Sequence, residues 1–187
     1  IYKSPKYFSN KLQKISLTPS YKNDNLTYNQ FMPIIKLETS INAPIERVFD
    51  LARSIDLHAD SMAHTNEKAV AGVTKGLINL GETVTWEATH FGIRQRLTSK
   101  ITVCERPTKF SDTMVSGAFA RLDHDHFFTE IDGKTLMRDV FDYDSPLGIL
   151  GKLADFLILE NYMKNLLTAR NTLIKRVAES EDWRKFI

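Results

Sequence analysis

Ile41-Asn42-Ala43-Pro44-Ile45-Glu46-Arg47-Val48-Phe49-Asp50-Leu51 decides the fold, because an alternating strand stops and an amphipathic helix starts within about three residues. Before it, Ile35, Leu37, Thr39 and Ile41 alternate with Lys36, Glu38 and Ser40, the pattern of a half-buried strand. After it, Pro44 suits a first helical turn, since its φ is already helical and its missing N–H would have had no partner there. Asn42 is placed to cap the orphan amides, and Glu46 puts negative charge at the positive end of the helix dipole. Ile45, Val48, Phe49 and Ala52 recur at helical spacing, so the helix over 44–52 has one apolar face and needs a sheet to cover.

That sheet is legible downstream. Glu67–Val73 and Glu82–His90 read as strands separated by a loop with Gly72, Gly76 and Gly81; 54–62 reads as a second short helix. Phe91-Gly92 turns the chain into a long strand in which Ile93, Gln95, Leu97, Ser99, Ile101 and Val103 share one face, with Arg94 and Arg96 on the other. Phe110–Val115, Arg121–Ile131 and Thr135–Tyr143 follow, the last two joined at Asp132-Gly133, a strong hairpin signal. Six or seven consecutive strands with short connections predict an antiparallel meander. Ser145-Pro146 then opens a long helix over 147–178, roughly 48 Å at ~1.5 Å per residue. Its apolar stripe runs through Leu153, Phe156, Leu157, Met163, Leu166, Leu167, Leu173, Ile174 and Val177. Its first half, with Leu147, Ile149, Leu150, Ile158 and Leu159 added, has little polar surface and faces either more protein or something apolar that is not protein.

Composition narrows the function classes. A 187-residue chain with 42% hydrophobic residues can bury one substantial core. Residues 1–31 carry five lysines against one aspartate, +4 of the net +2, which leaves the remainder at −2. A mildly acidic domain lacks the basic face of a nucleic-acid binder. The first segment, with scattered Ser, Asn, Lys and Tyr and little periodicity, is expected to be a non-native or mobile extension ahead of a single domain over 32–187. It lacks the apolar core of a signal peptide, and no run is long enough to span a bilayer, although transient membrane contact is compatible with the sequence. The lone Cys104 excludes an internal disulfide and points to a reducing, cytoplasmic setting; beside Glu105 it reads as an inert thiol.

A strand, a short helix after an Ala-Pro step, an antiparallel meander and one long closing helix together resemble the START-like (SRPBCC) superfamily, with its polyketide cyclase and pollen-allergen relatives. The resemblance covers about residues 33–180 and opens on the Ile41–Phe49 stretch. Trp86-Glu87-Ala88-Thr89-His90-Phe91-Gly92, Phe110-Ser111-Asp112-Thr113-Met114, His124-Asp125-His126-Phe127-Phe128 and Asp139-Val140-Phe141-Asp142-Tyr143 look like its uncharacterised bacterial ligand-binding branch. The resemblance implies an α+β helix-grip fold: a curved antiparallel sheet around the C-terminal helix, with a cavity between them for a lipid, quinone, polyketide or similar molecule. It implies neither a particular ligand nor a cofactor, and none of these segments is a catalytic signature.

Strand parity then selects candidate ligand-binding residues. If the apolar faces look inward, Trp86 carries His90 with it, Ile93 and Leu97 carry Gln95, and Phe110 and Met114 carry Asp112. Met137 and Phe141 carry Asp139 and Tyr143, while His124 and His126 share a face with Phe128; Phe156 adds a ligand contact from the helix. His90, Asp112, His124, His126 and Asp139 would form an inner polar cluster. Its most ordinary purpose is mutual satisfaction of buried charge, followed by anchoring of a ligand headgroup. A cyclase-, dehydratase- or isomerase-type reaction through a His–Asp base is the third reading, and a partner-binding module with a filled core the fourth. His124-x-His126, with Asp112 or Asp139 as a third ligand, is permissive for a metal rather than diagnostic, so no metal or catalytic residue is assigned.

Overall fold

The computed structural model describes residues 34–144 and 158–187. The proposed extension over 1–31 and the helical expectations for Leu147, Ile149, Leu150, Leu153, Phe156 and Leu157 lie outside the described residues. Strand β1 (Ile34–Ile41) leads into α1 (Ile45–Ala52), α2 (Ile55–Ser61) and a 3-10 turn at Ala63–Thr65. Strands β2 (Lys68–Gly72), β3 (Thr83–His90), β4 (Ile93–Glu105), β5 (Lys109–Ser116), β6 (Arg121–Ile131) and β7 (Lys134–Asp144) follow. Helix α3 (Glu160–Ala178) and a 3-10 turn at Glu181–Lys185 complete the described chain.

The seven strands form one antiparallel sheet in the order β1-β7-β6-β5-β4-β3-β2, the meander expected of the sequence. β1 pairs with the last strand, so α1 and α2 carry the chain from one edge of the sheet to the other. Two-residue turns at Phe91-Gly92 and Asp132-Gly133 put all four residues at positive φ, the backbone that matches the twist of paired strands. Bulges between Ala69 and Ala71, Thr98 and Ser99, and Ile101 and Val103 bend the sheet. The last of them breaks the expected alternation in β4, so that Cys104 packs on the core where Val103 was predicted. Ile93, also predicted inward, is 63% exposed beside the hairpin tip.

Helix α1 buries Ile45, Val48, Phe49, Leu51 and Ala52. Phe49 meets Phe110 and Phe128 edge-on at centroid distances of 5.6 and 5.3 Å, which locks α1 to the sheet. Asn42 does not cap this helix: Pro44 occupies the N-cap, and the Asn42 amide donates to Glu179 Oε1 at 2.7 Å, tying β1 to the end of α3. Helix α2 is capped by Ser54, whose hydroxyl accepts from the Leu57 amide. The C-terminal turn is docked, with the Trp183 ring between Arg47 and Arg184 at 4.6 and 4.4 Å. The core falls into two parts. One gathers α1, α2 and the end of α3 over Val84, Trp86, Phe110, Phe128 and Met137; the other joins Ile35, Leu122, Phe141, Tyr143 and Leu167.

Candidate functional site

Between the inner face of the sheet, α2 and α3 lies a cavity of about 330 Å³, within the size range of small-molecule sites. Its lining is mostly apolar. Ala88, Leu97, Ile101, Phe119, Leu122, Met163, Leu166 and Leu167 contribute to it, joined by Trp86 and Phe141. Of the predicted residues, Trp86, His90, Gln95, Asp112, His124, His126 and Phe141 line this space. Asp139, although fully buried, lies behind the lining, against His126. Phe128 and Met137 pack beneath α1, and Met114 and Tyr143 pack with the second core cluster. Phe156 lies outside the described residues.

The polar groups concentrate on one wall because of cross-strand register. Asp112 on β5 stands opposite His124 on β6, and His126 stands opposite Asp139 on β7. His126 Nδ1 lies 2.7 Å from Asp139 Oδ1, while its Nε2 lies 3.5 Å from Asp112 Oδ1. Asn171 Nδ2 donates to Asp139 Oδ2 at 2.6 Å, and Arg170 Nη1 lies 3.5 Å from Oδ1. Arg170 Nη2 donates to the Ala52 carbonyl at 2.7 Å, so one guanidinium joins the end of α1 to this carboxylate. His124 Nε2 lies 3.2 Å from Asp139 Oδ1 but at an angle that makes no hydrogen bond, and it is buried with no other partner.

These surroundings set the charges. Burial, reinforced by the neighbouring His126, pushes the His124 imidazole down to about 4 against the pull of Asp139 and Asp112, so His124 is neutral near pH 7. Burial alone would raise Asp139, but His124 and His126 hold it well below the usual carboxylate range. Asp112 is likewise lowered, its desolvation outweighed by His126, His124 and Arg170. Burial lowers Arg170, though a guanidinium remains charged under these conditions. The wall therefore holds two carboxylates, one guanidinium and two imidazoles, of which His124 is neutral.

At the other end, His90 Nδ1 lies 2.8 Å from the Tyr162 hydroxyl, and the exposed Phe91 ring leans on Tyr162 at 4.5 Å. Burial lowers His90, favouring the neutral ring. His58 stacks on Trp86 at 4.2 Å and pairs with Glu67 at 2.8 Å. Arg94 and Arg96 sit on the outer face as predicted, gripping Glu87 from both sides. Arg170, Asn171, Tyr162 and His58 were not singled out by sequence reasoning. Arg170 did leave a signal: it falls three and four residues from Leu167 and Leu166 and four before Ile174, a charge on the apolar stripe of α3.

No protein-family model matches the chain, and no curated protein matches it in sequence. Solved structures do match in shape. Protein TTHA0849 of Thermus thermophilus superposes with a TM-score of 0.62 at 18% identity, covering 78% of this chain and 99% of its own. A START superfamily protein of Mycobacterium smegmatis gives 0.58 at 8% identity, covering 77% and 98%. The Zhui aromatase/cyclase of a Streptomyces species gives 0.60 at 11%, covering 80% and 98%. At these identities the likeness concerns the backbone, and with the sheet order and closing helix it is consistent: the chain has the START-like helix-grip fold that its sequence resembles.

Proposed function

We propose that the protein binds an apolar or amphipathic small molecule, of the lipid, quinone or polyketide-like kind, between the sheet and α3. The observation that carries this reading is the cavity itself: about 330 Å³, mostly apolar, with Asp112, His124, His126 and Arg170 converging on one wall. An apolar concavity of this size with a few convergent polar groups is the usual form of a small-molecule site. The volume lies near the lower end of the ~300–1,000 Å³ typical of ligand sites, which suits a compact ring system or a single chain better than a whole two-chain lipid. Its apolar body would lie against Leu97, Phe119, Met163 and Leu166, with a polar head toward His124.

Native mass spectrometry of freshly purified protein, followed by solvent extraction, tests this directly. A co-purifying organic molecule, or saturable displacement of an apolar dye with quenching of Trp86, supports binding. A protein that carries no organic molecule and takes up no apolar dye is the partner-binding module with a merely structural core. A second reading, catalysis by a cyclase- or isomerase-type route, is favoured by one feature: His124 is neutral, faces the cavity and has an unpartnered nitrogen beside a carboxylate. Turnover of a bound polyketide-like substrate that survives His124→Ala removes that residue from any mechanism.

A further inference from the structure

We propose that Asp112, His124 and His126 form a binding site for a divalent first-row transition ion of the zinc class, set in the cavity wall. Each offers one ligand atom, and these atoms lie within 4.8 Å of one another. Two imidazoles and a carboxylate are the donor set that such ions take, with the remaining positions left to water or substrate. The 3.5 Å between His126 Nε2 and Asp112 Oδ1 is close to the roughly 3.3 Å that separates two ligands of a tetrahedral ion with ~2.0–2.1 Å bonds. Asp112 is the least enclosed of the three, with 20% of its side chain exposed, and rotation of its carboxylate supplies the remaining adjustment.

Sequence spacing alone did not show what stands behind these ligands. Asp139 accepts from His126 Nδ1, and is itself held by Asn171. A carboxylate in that position fixes the proton on Nδ1 and turns the Nε2 lone pair outward, the outer-shell arrangement that orients metal-bound histidines. In the neutral ring that lone pair faces an Asp112 oxygen, which is also an acceptor. The two donor atoms, 3.5 Å apart, bound a gap in which an ion can sit. Asp112, His124 and His126 all line the cavity, so the remaining positions of an ion held there would be open to an oxygen donor such as a carboxylate or enolate on an apolar body.

The site is independent of what fills the cavity, so the test uses the metal alone. The 187-residue chain is stripped with chelator and titrated with Zn²⁺ by calorimetry and with Co²⁺ by visible absorption. One equivalent per chain is expected, with a four- or five-coordinate Co²⁺ spectrum. Asp112→Asn and His124→Gln, each checked for fold by circular dichroism, should weaken binding at least tenfold, and Asp139→Asn by roughly 10–100-fold through the outer shell. Absence of saturable binding overturns the proposal, as does binding of unchanged affinity in both ligand variants, which would place the ion elsewhere, as at His58 and Glu67. A doubly protonated His126 ring seen by ¹⁵N NMR at neutral pH in the presence of excess Zn²⁺ would assign the gap to a proton and overturn it too. Failure to find an organic ligand would leave these outcomes unchanged.

Discussion

Replacing Arg170 by methionine keeps an unbranched apolar stem and removes the guanidinium and its charge. In the native protein that guanidinium is 5% exposed, donates to the Ala52 carbonyl at 2.7 Å and lies 3.5 Å from Asp139. Removing it leaves a buried carbonyl at the end of α1 without its donor, about 1–3 kcal/mol. It also leaves Asp139 without its nearest fixed cation, and breaking a buried pair from one side costs roughly 3–5 kcal/mol. Relief of the guanidinium's own desolvation offsets part of this, and His126 and Asn171 still hydrogen-bond the carboxylate. The expected net loss is about 3 kcal/mol, which for a domain of this size lowers Tm by roughly 6–12 °C. Thermal and urea unfolding at fixed neutral pH measure it. Asp139→Asn and the double variant close the cycle: because the two groups share one network, the double loss should fall short of the sum by about 1 kcal/mol or more. A single-variant loss below about 1 kcal/mol, with additive double-variant behaviour, would refute the view that Arg170 and Asp139 compensate one another.

Other outcomes follow from particular contacts. Ala88→Phe projects a ring into the cavity from β3 and should abolish uptake of an apolar dye while moving Tm by only a few degrees; undiminished uptake would place the dye elsewhere. The Asp50 carboxyl is raised by burial but held below its ordinary value by hydrogen bonds from Arg106 and Arg53, so its contribution is present above pH ~4 and lost as pH falls through the lowered folded value. Asp50→Asn should therefore lower Tm at pH 6 and converge with wild type near pH 2; a constant gap across that range contradicts the assignment. Replacing Asp139, His126 and Arg170 together by apolar residues of similar volume should leave the unfolding free energy within about 1–2 kcal/mol of wild type or raise it, as exchanges of buried ionic groups often do. A collapse of the fold would show that the cluster is structural.

The fold was legible because its signals are local. Period-2 alternation marked β1, β3 and β4, Asp132-Gly133 and Phe91-Gly92 marked two turns, and short connections left a meander as the economical topology. The candidate wall was only half legible, since facing inward is a property of one strand but contact is a property of register. That Asp112 faces His124 and His126 faces Asp139 depends on how β5, β6 and β7 are aligned. The β4 bulge reversed parity beyond Ile101, and no residue type there announced it. Arg170 was passed over because a charge in an apolar stripe reads as an interruption, whereas here the stripe's partner surface itself carries the opposite charge.

What distinguishes the wall from an ordinary satisfied core is the mismatch between its cost and its local duties. Backbone ladders already join β5, β6 and β7, and Leu166, Leu167, Ile174 and Val177 already seat α3 on the domain. Two carboxylates, a guanidinium and two imidazoles taken out of water add a desolvation penalty that these contacts do not require. Their hydrogen bonds are also unevenly completed: Asp139 has donors on both oxygens, while His124 Nε2, 3.2 Å from Asp139 Oδ1, makes no hydrogen bond and His126 Nε2 faces an Asp112 oxygen 3.5 Å away. A network built for stability would close on itself. This one is complete at Asp139 and incomplete at the two imidazoles, both of which line the cavity, so a partner for them can come from whatever enters that space.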